Sequence, residues 1–378
     1  LTWEIGGNFG HLTRLLPMAR ELRAACHEVT FAVRATQVAG QLLTPESFEY
    51  VQAPLCLDRV TLHRPPASYA ELLLAEGYAS GSSLLGRVNA WLALYRLVRP
   101  DLIFVDHSPT ALVAARAASI PAIPIGNGFE IPPNVSPLPS IRPWETVSEQ
   151  ELLQSETRVT RSINDCLRTL GSARLLTHLA ALFETPARVL ATFSELDHYL
   201  PHERATYDGC LFTDSGTASI EWRTEALPRV LTYVHNGLSG LKSLIAALQA
   251  IEADIVCIVP ELSAAAAQRY SSKSLRVLSK PVQLSTALAR ADLVVCQAGL
   301  ATMAQSLLAG VPLIAVPGTV EQYMVARRVH ELGAGELIGH DRSPDSFTTA
   351  INNVLRSDTY RAAARHFAHK YSDYDTHT

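Results

Sequence analysis

Leu293-Val294-Val295-Cys296 is a four-residue run that is apolar at every position. A strand with water on one face alternates polar and apolar residues. One that is apolar throughout has to be covered on both faces, as happens in a parallel sheet sandwiched between helices. Similar runs recur along the chain. Residues 1–5, Val29 to Val33, Leu102 to Val105 and Ala122 to Ile125 read as strands in the first half, and 229–234, 254–259, 275–278, 293–296 and 313–316 in the second. Between them the apolar spacing turns helical. Leu12, Leu15, Leu16, Ala19 and Leu22 follow the first strand, and an alanine-rich helix is predicted from Thr110 to Ala118. Further helices are predicted at 240–250, 262–270, 284–290, 302–309 and 321–332. Strand and helix in alternation imply an α/β protein with doubly wound parallel sheets.

A chain of 378 residues has room for two such domains. Pro201 to Pro228 is rich in Gly, Ser, Thr, Asp and Pro and has no apolar period, so it reads as a linker. The expected organisation is a Rossmann-like domain over 1–205, a linker over 206–228 and a second Rossmann-like domain over 229–358. A C-terminal helix over 359–378, with no strand after it, is free to cross back to the first domain. Pro54 to Leu97 is less regular and reads as helical excursions walling a pocket. Open α/β sheets bind ligands at the carboxyl ends of their strands. Two of them facing each other predict a ligand cleft, without naming the ligand.

Composition narrows the ligand. The formal net charge is −4 with no block of like charge, so the basic surface that nucleic acid requires is missing. None of the six cysteines forms a CxxC pair, and Cys257 and Cys296 sit in apolar runs, which fits a reducing compartment. No segment approaches the roughly 18 apolar residues of a membrane span. Leu1 to Ile5 lacks the head and core of a signal peptide and reads as a strand whose beginning is clipped. The cytoplasm is the expected location. A dinucleotide dehydrogenase is disfavoured, because no GxGxxG follows a strand with an acidic residue about 20 positions later.

After the strand at 293–296 comes Gln297-Ala298-Gly299-Leu300-Ala301-Thr302, opening a helix. Small residues let a ligand approach the backbone, and the unpaired amides of a helix N-terminus attract anions. That makes a diphosphate cradle without a metal, although an ordinary strand-to-helix turn has the same sequence character. Farther on stand Gly310-Val311-Pro312, Pro317, Glu321-Gln322, Ala326, Val329 and Gly333-Ala334-Gly335. In that order and spacing the set resembles the donor-binding signature of family-1 glycosyltransferases of the GT-B fold, which includes antibiotic, flavonoid and glucuronosyl transferases.

The resemblance implies two Rossmann-like domains and a nucleotide-sugar co-substrate, with a UDP- or dTDP-sugar as donor, no cofactor and no metal. It places donor contacts at Gln297, Gly299, Leu300, Ala301, Thr302, Gln305, Glu321 and Gln322, with Val282 and Gln283 in the segment that meets the base. The chain departs from the family pattern at several positions, and the tryptophan that stacks on the base in plant members has no counterpart, because Lys280-Pro281-Val282-Gln283 occupies that segment. Gln297 stands for a histidine, Gln305 for a glutamate that holds the ribose, and Glu321 for an aspartate that with Gln322 holds sugar hydroxyls. Without a ligand, Glu321 and Gln322 would be a solvated first helical turn.

On the acceptor side, Gly6-Gly7-Asn8-Phe9-Gly10-His11 follows the first strand. An imidazole, whose ordinary pKa is about 6.5, is suited to take a proton from a hydroxyl at neutral pH. The resemblance makes His11 that base. Asp106, at the end of another strand, is either the carboxylate that orients it or a cap on the following helix. Gly10, Asn127, Phe129 and Glu130 are expected to line the acceptor, the last three in a loop that a strained turn would mimic. His27 reads as structural, and Tyr69, Tyr78, Trp91 and Tyr95 as core or acceptor wall. The expected reaction is an inverting, metal-independent transfer of a sugar from a nucleoside-diphosphate sugar to a hydroxyl of a small, partly apolar molecule. A sugar-nucleotide epimerase or hydrolase on the same fold, or a non-catalytic nucleotide-sugar binder, would share these features.

Overall fold

The structure, a computed structural model, describes residues 1–7, 9–199, 205–212 and 219–374. Asn8 of the first turn and residues 201–204 and 213–218 of the predicted linker lie outside the described residues. The chain divides into two compact units, Leu1–Leu211 and Phe212–Thr378.

The first unit runs β1 (Thr2–Trp3), α1 (Gly10–Ala24), β2 (Thr30–Val33), α2 (Thr36–Leu42), β3 (Glu49–Gln52), α3 (Tyr69–Leu73) and α4 (Gly81–Val98). It continues with β4 (Ile103–Asp106), α5 (Pro109–Ala118), β5 (Ala122–Gly126), α6 (Glu149–Thr169) and β6 (Val189–Leu190). Its strands form one parallel sheet in the order β3-β2-β1-β4-β5-β6. Leu12, Leu15, Leu16 and Ala19 of α1 pack with Phe31 and Val33 on one face, and Leu73, Trp91, Val113 and Ile163 pack with Ile103 and Val105 on the other. Burial on both faces is why the central strands carry no polar alternation.

The second unit holds β7 (Arg229–Tyr233), α7 (Leu241–Ala250), β8 (Asp254–Ile258), α8 (Ala264–Tyr270), β9 (Leu275–Leu278), α9 (Leu284–Leu288) and β10 (Leu293–Cys296). After these come α10 (Leu300–Leu308), β11 (Leu313–Ala315), α11 (Val320–Glu331), β12 (Gly335–Leu337), α12 (Pro344–Arg356) and α13 (Asp358–Lys370). The sheet is again parallel, in the order β12-β11-β10-β7-β8-β9. Numbered within its own unit, it has the same winding as the first. The order reverses between β1 and β4 in one sheet and between β7 and β10 in the other. Those are the positions at which a doubly wound sheet opens a ligand crevice.

Several boundaries differ from the sequence expectation. The strand predicted over 1–5 is paired only at Thr2–Trp3, because Ile5 donates instead to the carbonyl of His107 (3.0 Å). The predicted linker divides between the units. Leu190 donates to Asp208 (2.9 Å) in the first, and the Arg223 amide binds Asp254 in the second. Helix α13 packs against α10 and α12 of its own unit. Tyr69, Tyr78, Trp91 and Tyr95 are all buried in the first core.

Candidate functional site

In the first unit, β1 and β4 end side by side, with Trp3 opposite Asp106. The chain leaving β1 turns at Gly6, whose φ of 96° is open to glycine at no steric cost. It enters α1 so that His11 hangs over the sheet edge. Nδ1 of His11 lies 2.7 Å from the Asp106 carboxylate, and its ring stacks on the buried Trp3 indole with centroids 5.0 Å apart. A Cβ on Gly6 would collide with Nε2 of His11, so the glycine keeps that nitrogen clear. The sequence left two roles open for Asp106, and the geometry separates them. Its carboxylate turns to His11, and Ser108 at the start of α5 makes no side-chain cap.

Arg14, one turn along α1 from His11, has Nε 3.4 Å from Asp106 and a terminal nitrogen 3.2 Å from Glu130. Burial by itself would raise the Asp106 carboxyl. The Arg14 guanidinium and the His11 imidazole outweigh it and hold the group below its ordinary range. An ionised Asp106 is what fixes the proton on Nδ1 and leaves Nε2 with a lone pair.

Sequence reasoning did not single out Arg14 or His107. Arg14 had a usable signal, since spacing of three puts it on the helical face of His11. His107 follows Asp106 with φ 42°, in the left-handed region, and burial lowers its pKa to about 4. Glu130, expected from sequence, is buried beside Arg14. Asn127 forms a tight local turn by accepting from the Phe129 amide (3.0 Å), and the Phe129 ring meets His107 edge-on. Gly10 is exposed as the first residue of α1, whereas His27 is exposed far along the chain's path between α1 and β2.

Behind this edge lies Glu4, 2% exposed, which accepts from the Thr110 hydroxyl and has Arg87 at 3.9 Å. Burial pushes its pKa from 4.5 to about 7. The folded protein therefore binds this proton more tightly than the unfolded chain does. Stability from this group is complete below pH 4.5 and is lost as pH rises to about 7. Glu4→Gln keeps the acceptor oxygen, so we expect it to remove that slope and to stabilise the fold by about 3 kcal/mol above pH 8. Denaturant midpoints of both proteins at pH 5 and pH 8 check this.

In the second unit, His235 and Gln297 follow the ends of β7 and β10, and Oε1 of Gln297 accepts the His235 amide (3.1 Å) across the switch point. Ala298 then adopts φ 55°, and Gly299 begins α10 with no side-chain cap. Serine or threonine hydroxyls cap α11 and α12. The leading amides of α10, from Leu300, Ala301 and Thr302, have no partner within the helix. Gly299 is exposed, and nothing lies within 4 Å of a Cβ built on it. These donors and the helix dipole give an open anion site.

Gln322 accepts the Gly318 amide (2.8 Å), and a Cβ on Gly318 would reach Nε2 of Gln297 at 2.9 Å. The structure therefore gathers Gln297 and Gln322 around Gly318, with Glu321 in the same first turn of α11. Gln305 lies farther along α10, half-buried. Val282 is buried, and Gln283 stands at the start of α9, where its carbonyl accepts from Thr286 (2.9 Å).

Residues 242–373 match the family model of the erythromycin biosynthesis protein CIII-like C-terminal domain. Over 95% of this chain and 81% of the relative, it is 26% identical to a PGL/p-HBAD biosynthesis rhamnosyltransferase of Mycobacterium bovis (strain BCG / Pasteur 1173P2). The spinosyn rhamnosyltransferase SpnG, solved with spinosyn aglycone, superposes with a TM-score of 0.70 at 18% identity, over 98% of this chain and 96% of that one. The chain is a glycosyltransferase of the GT-B fold. The glycosyltransferase VinC, solved in complex with dTDP, has the same fold (TM-score 0.68, 19% identity, 98% of this chain and 94% of that one). Among the described residues of this glycosyltransferase, no helix is long and apolar enough to cross a membrane.

Proposed function

We propose that the chain moves a sugar from a UDP- or dTDP-sugar to a hydroxyl of a small, partly apolar acceptor, with inversion and without a metal in the chemical step. The observation that carries this is the pairing of His11 Nδ1 with a buried Asp106 at one switch point, together with an uncapped helix N-terminus at the other. His11 Nε2 takes the acceptor proton as its oxygen attacks the anomeric carbon. The amides of Leu300, Ala301 and Thr302 bear the charge that grows on the leaving diphosphate. Gln297, Gln322 and Glu321 hold the donor from the adjoining turns, and Gln305 meets the ribose. Gly10, Phe129 and Glu130 line the acceptor, and Asn127 shapes their loop. The complexes of SpnG with aglycone and with thymidine diphosphate support these substrate classes. The buried thiols of Cys166, Cys210, Cys257 and Cys296 fit a cytoplasmic setting.

A thermal-shift screen of nucleoside diphosphates tests the donor side. At 100 times its Kd a ligand adds about 2.7 kcal/mol to stability. UDP or dTDP is expected to raise the midpoint, and GDP, ADP and CDP to leave it unchanged. Sugar released from the responding donor only when an acceptor is present marks a transferase. Release without one would make it a hydrolase.

A further inference from the structure

His107 does nothing in the proton transfer described above, yet its position is unusual. It is 7% exposed, and its Nε2 is buried with no hydrogen-bond partner. A buried, unsatisfied imidazole nitrogen costs stability, and His107 is held there by a left-handed backbone. Its surroundings show what it could meet. His11, His107 and Glu130 stand at the carboxyl ends of the neighbouring strands β1, β4 and β5. One nitrogen or oxygen from each lies within 4.8 Å of the others. With Nδ1 engaged by Asp106, the nitrogen that His11 has to offer is Nε2.

We propose that His11, His107 and Glu130 form a binding site for a transition-metal cation of the zinc class, and that its occupation switches the enzyme off by taking the lone pair of the His11 base. Two imidazoles and one carboxylate suit zinc, cobalt, nickel or copper and are poor ligands for magnesium or calcium. Metal-ligand bonds of about 2.0–2.2 Å put neighbouring donors of a tetrahedral site about 3.3–3.5 Å apart. Side-chain rotations of about an ångström close the present triangle. Glu130 is able to turn, because its contacts to Arg14, at 3.2 and 3.5 Å, are long for a guanidinium–carboxylate pair. Asp106 behind His11 supplies the carboxylate–histidine–metal arrangement that orients a ligating imidazole. Asp106 and Glu130 also outnumber the single guanidinium of Arg14. A cation on His11 Nε2 takes the lone pair that the acceptor hydroxyl needs, so the cation competes with the acceptor.

The inhibitory half of this proposal rests on the glycosyltransferase reading of His11. The binding half does not. Metal-free protein is titrated with Co²⁺, followed by its visible ligand-field absorption, and then with Zn²⁺ as competitor. One equivalent of Co²⁺ is expected to bind and to be displaced by Zn²⁺, and millimolar Mg²⁺ to leave the spectrum unchanged. His107→Phe, which keeps the ring volume, is expected to lose at least 100-fold in affinity. Glu130→Gln serves as a second variant should the first not fold. In the transfer assay Zn²⁺ inhibits competitively against acceptor, EDTA reverses it, and His107→Phe is insensitive relative to its own uninhibited rate. Equal Co²⁺ affinity in wild type and both variants overturns the site. Transfer that is active and indifferent to Zn²⁺ overturns the switch and leaves the proposed function standing. Tight, His107-dependent binding with no transfer to any acceptor leaves the site standing and removes the function.

Discussion

Replacing His11 with alanine is expected to lower sugar-transfer turnover by about 10²–10⁴-fold, the usual contribution of a positioned general base. Nucleoside-diphosphate affinity is expected to stay within a factor of two, because the anion site belongs to the other unit. The loss should appear in kcat at saturating acceptor, with the same fold in kcat/KM, since a base acts on the transition state rather than on binding. Asp106→Asn should fall nearly as far. An amide in place of the carboxylate keeps the volume but gives up the ionised acceptor that fixes the proton on Nδ1 at 2.7 Å. It also leaves the Arg14 guanidinium without one of its two buried carboxylates. Steady-state kinetics of both variants, with calorimetry of the nucleotide, decide the point. Wild-type turnover in His11→Ala would remove the base.

Gly299→Asp is the second large effect, and it separates stability from function. Gly299 already has the extended backbone of a helix cap, φ −69° and ψ 126°, so aspartate fits without strain. Its carboxylate would accept from the leading amides of α10 and complement the dipole. That is expected to stabilise the fold by about 0.5 kcal/mol. The same carboxylate would occupy the space that is open above Gly299 and place a negative charge where the diphosphate has to sit. Donor affinity should drop at least 100-fold while the unfolding midpoint rises. A variant that still binds nucleotide as wild type would show that the anion sits elsewhere.

Much of the second unit was legible because burial on both faces of a parallel sheet leaves an unbroken apolar signal. The strands at Leu275–Leu278 and Leu293–Cys296 have the predicted bounds, and those at Arg229–Tyr233 and Asp254–Ile258 end one residue early. The strands that went unread are those without that signal. β3 is an exposed edge strand of sequence Glu-Tyr-Val-Gln, β6 is two residues long, and β12 is a three-residue edge strand, Gly-Glu-Leu. Helix α6 was also unread, although it is the longest in the first unit. Its buried stripe is interrupted by Glu156, which is satisfied by Ser136 and the Leu138 amide from outside the helix. The Ser148–Glu151 capping box was the local signal that could have found it.

At the site, His11, Asp106 and Glu130 were readable because each follows a strand, and topology carries all three to one sheet edge. Arg14, His107 and Trp3 were not. An arginine inside a helix, a second histidine beside an aspartate and an aromatic in a strand each have a commoner structural use. Only the packing of α1 on β1 and β4 shows that Arg14 bridges two acids and that Trp3 stacks on the imidazole. Gln297 likewise looks from sequence like a free donor. Its oxygen is in fact committed to the His235 amide, and Nε2 alone is left for a ligand.

The central claim is that the N-terminus of α10 grips the donor's diphosphate. A crystal structure of the protein with UDP or dTDP tests it directly. Phosphate oxygens are expected about 2.7–3.2 Å from the amide nitrogens of Leu300, Ala301 and Thr302. A well-ordered nucleotide whose diphosphate lies away from these amides would contradict it.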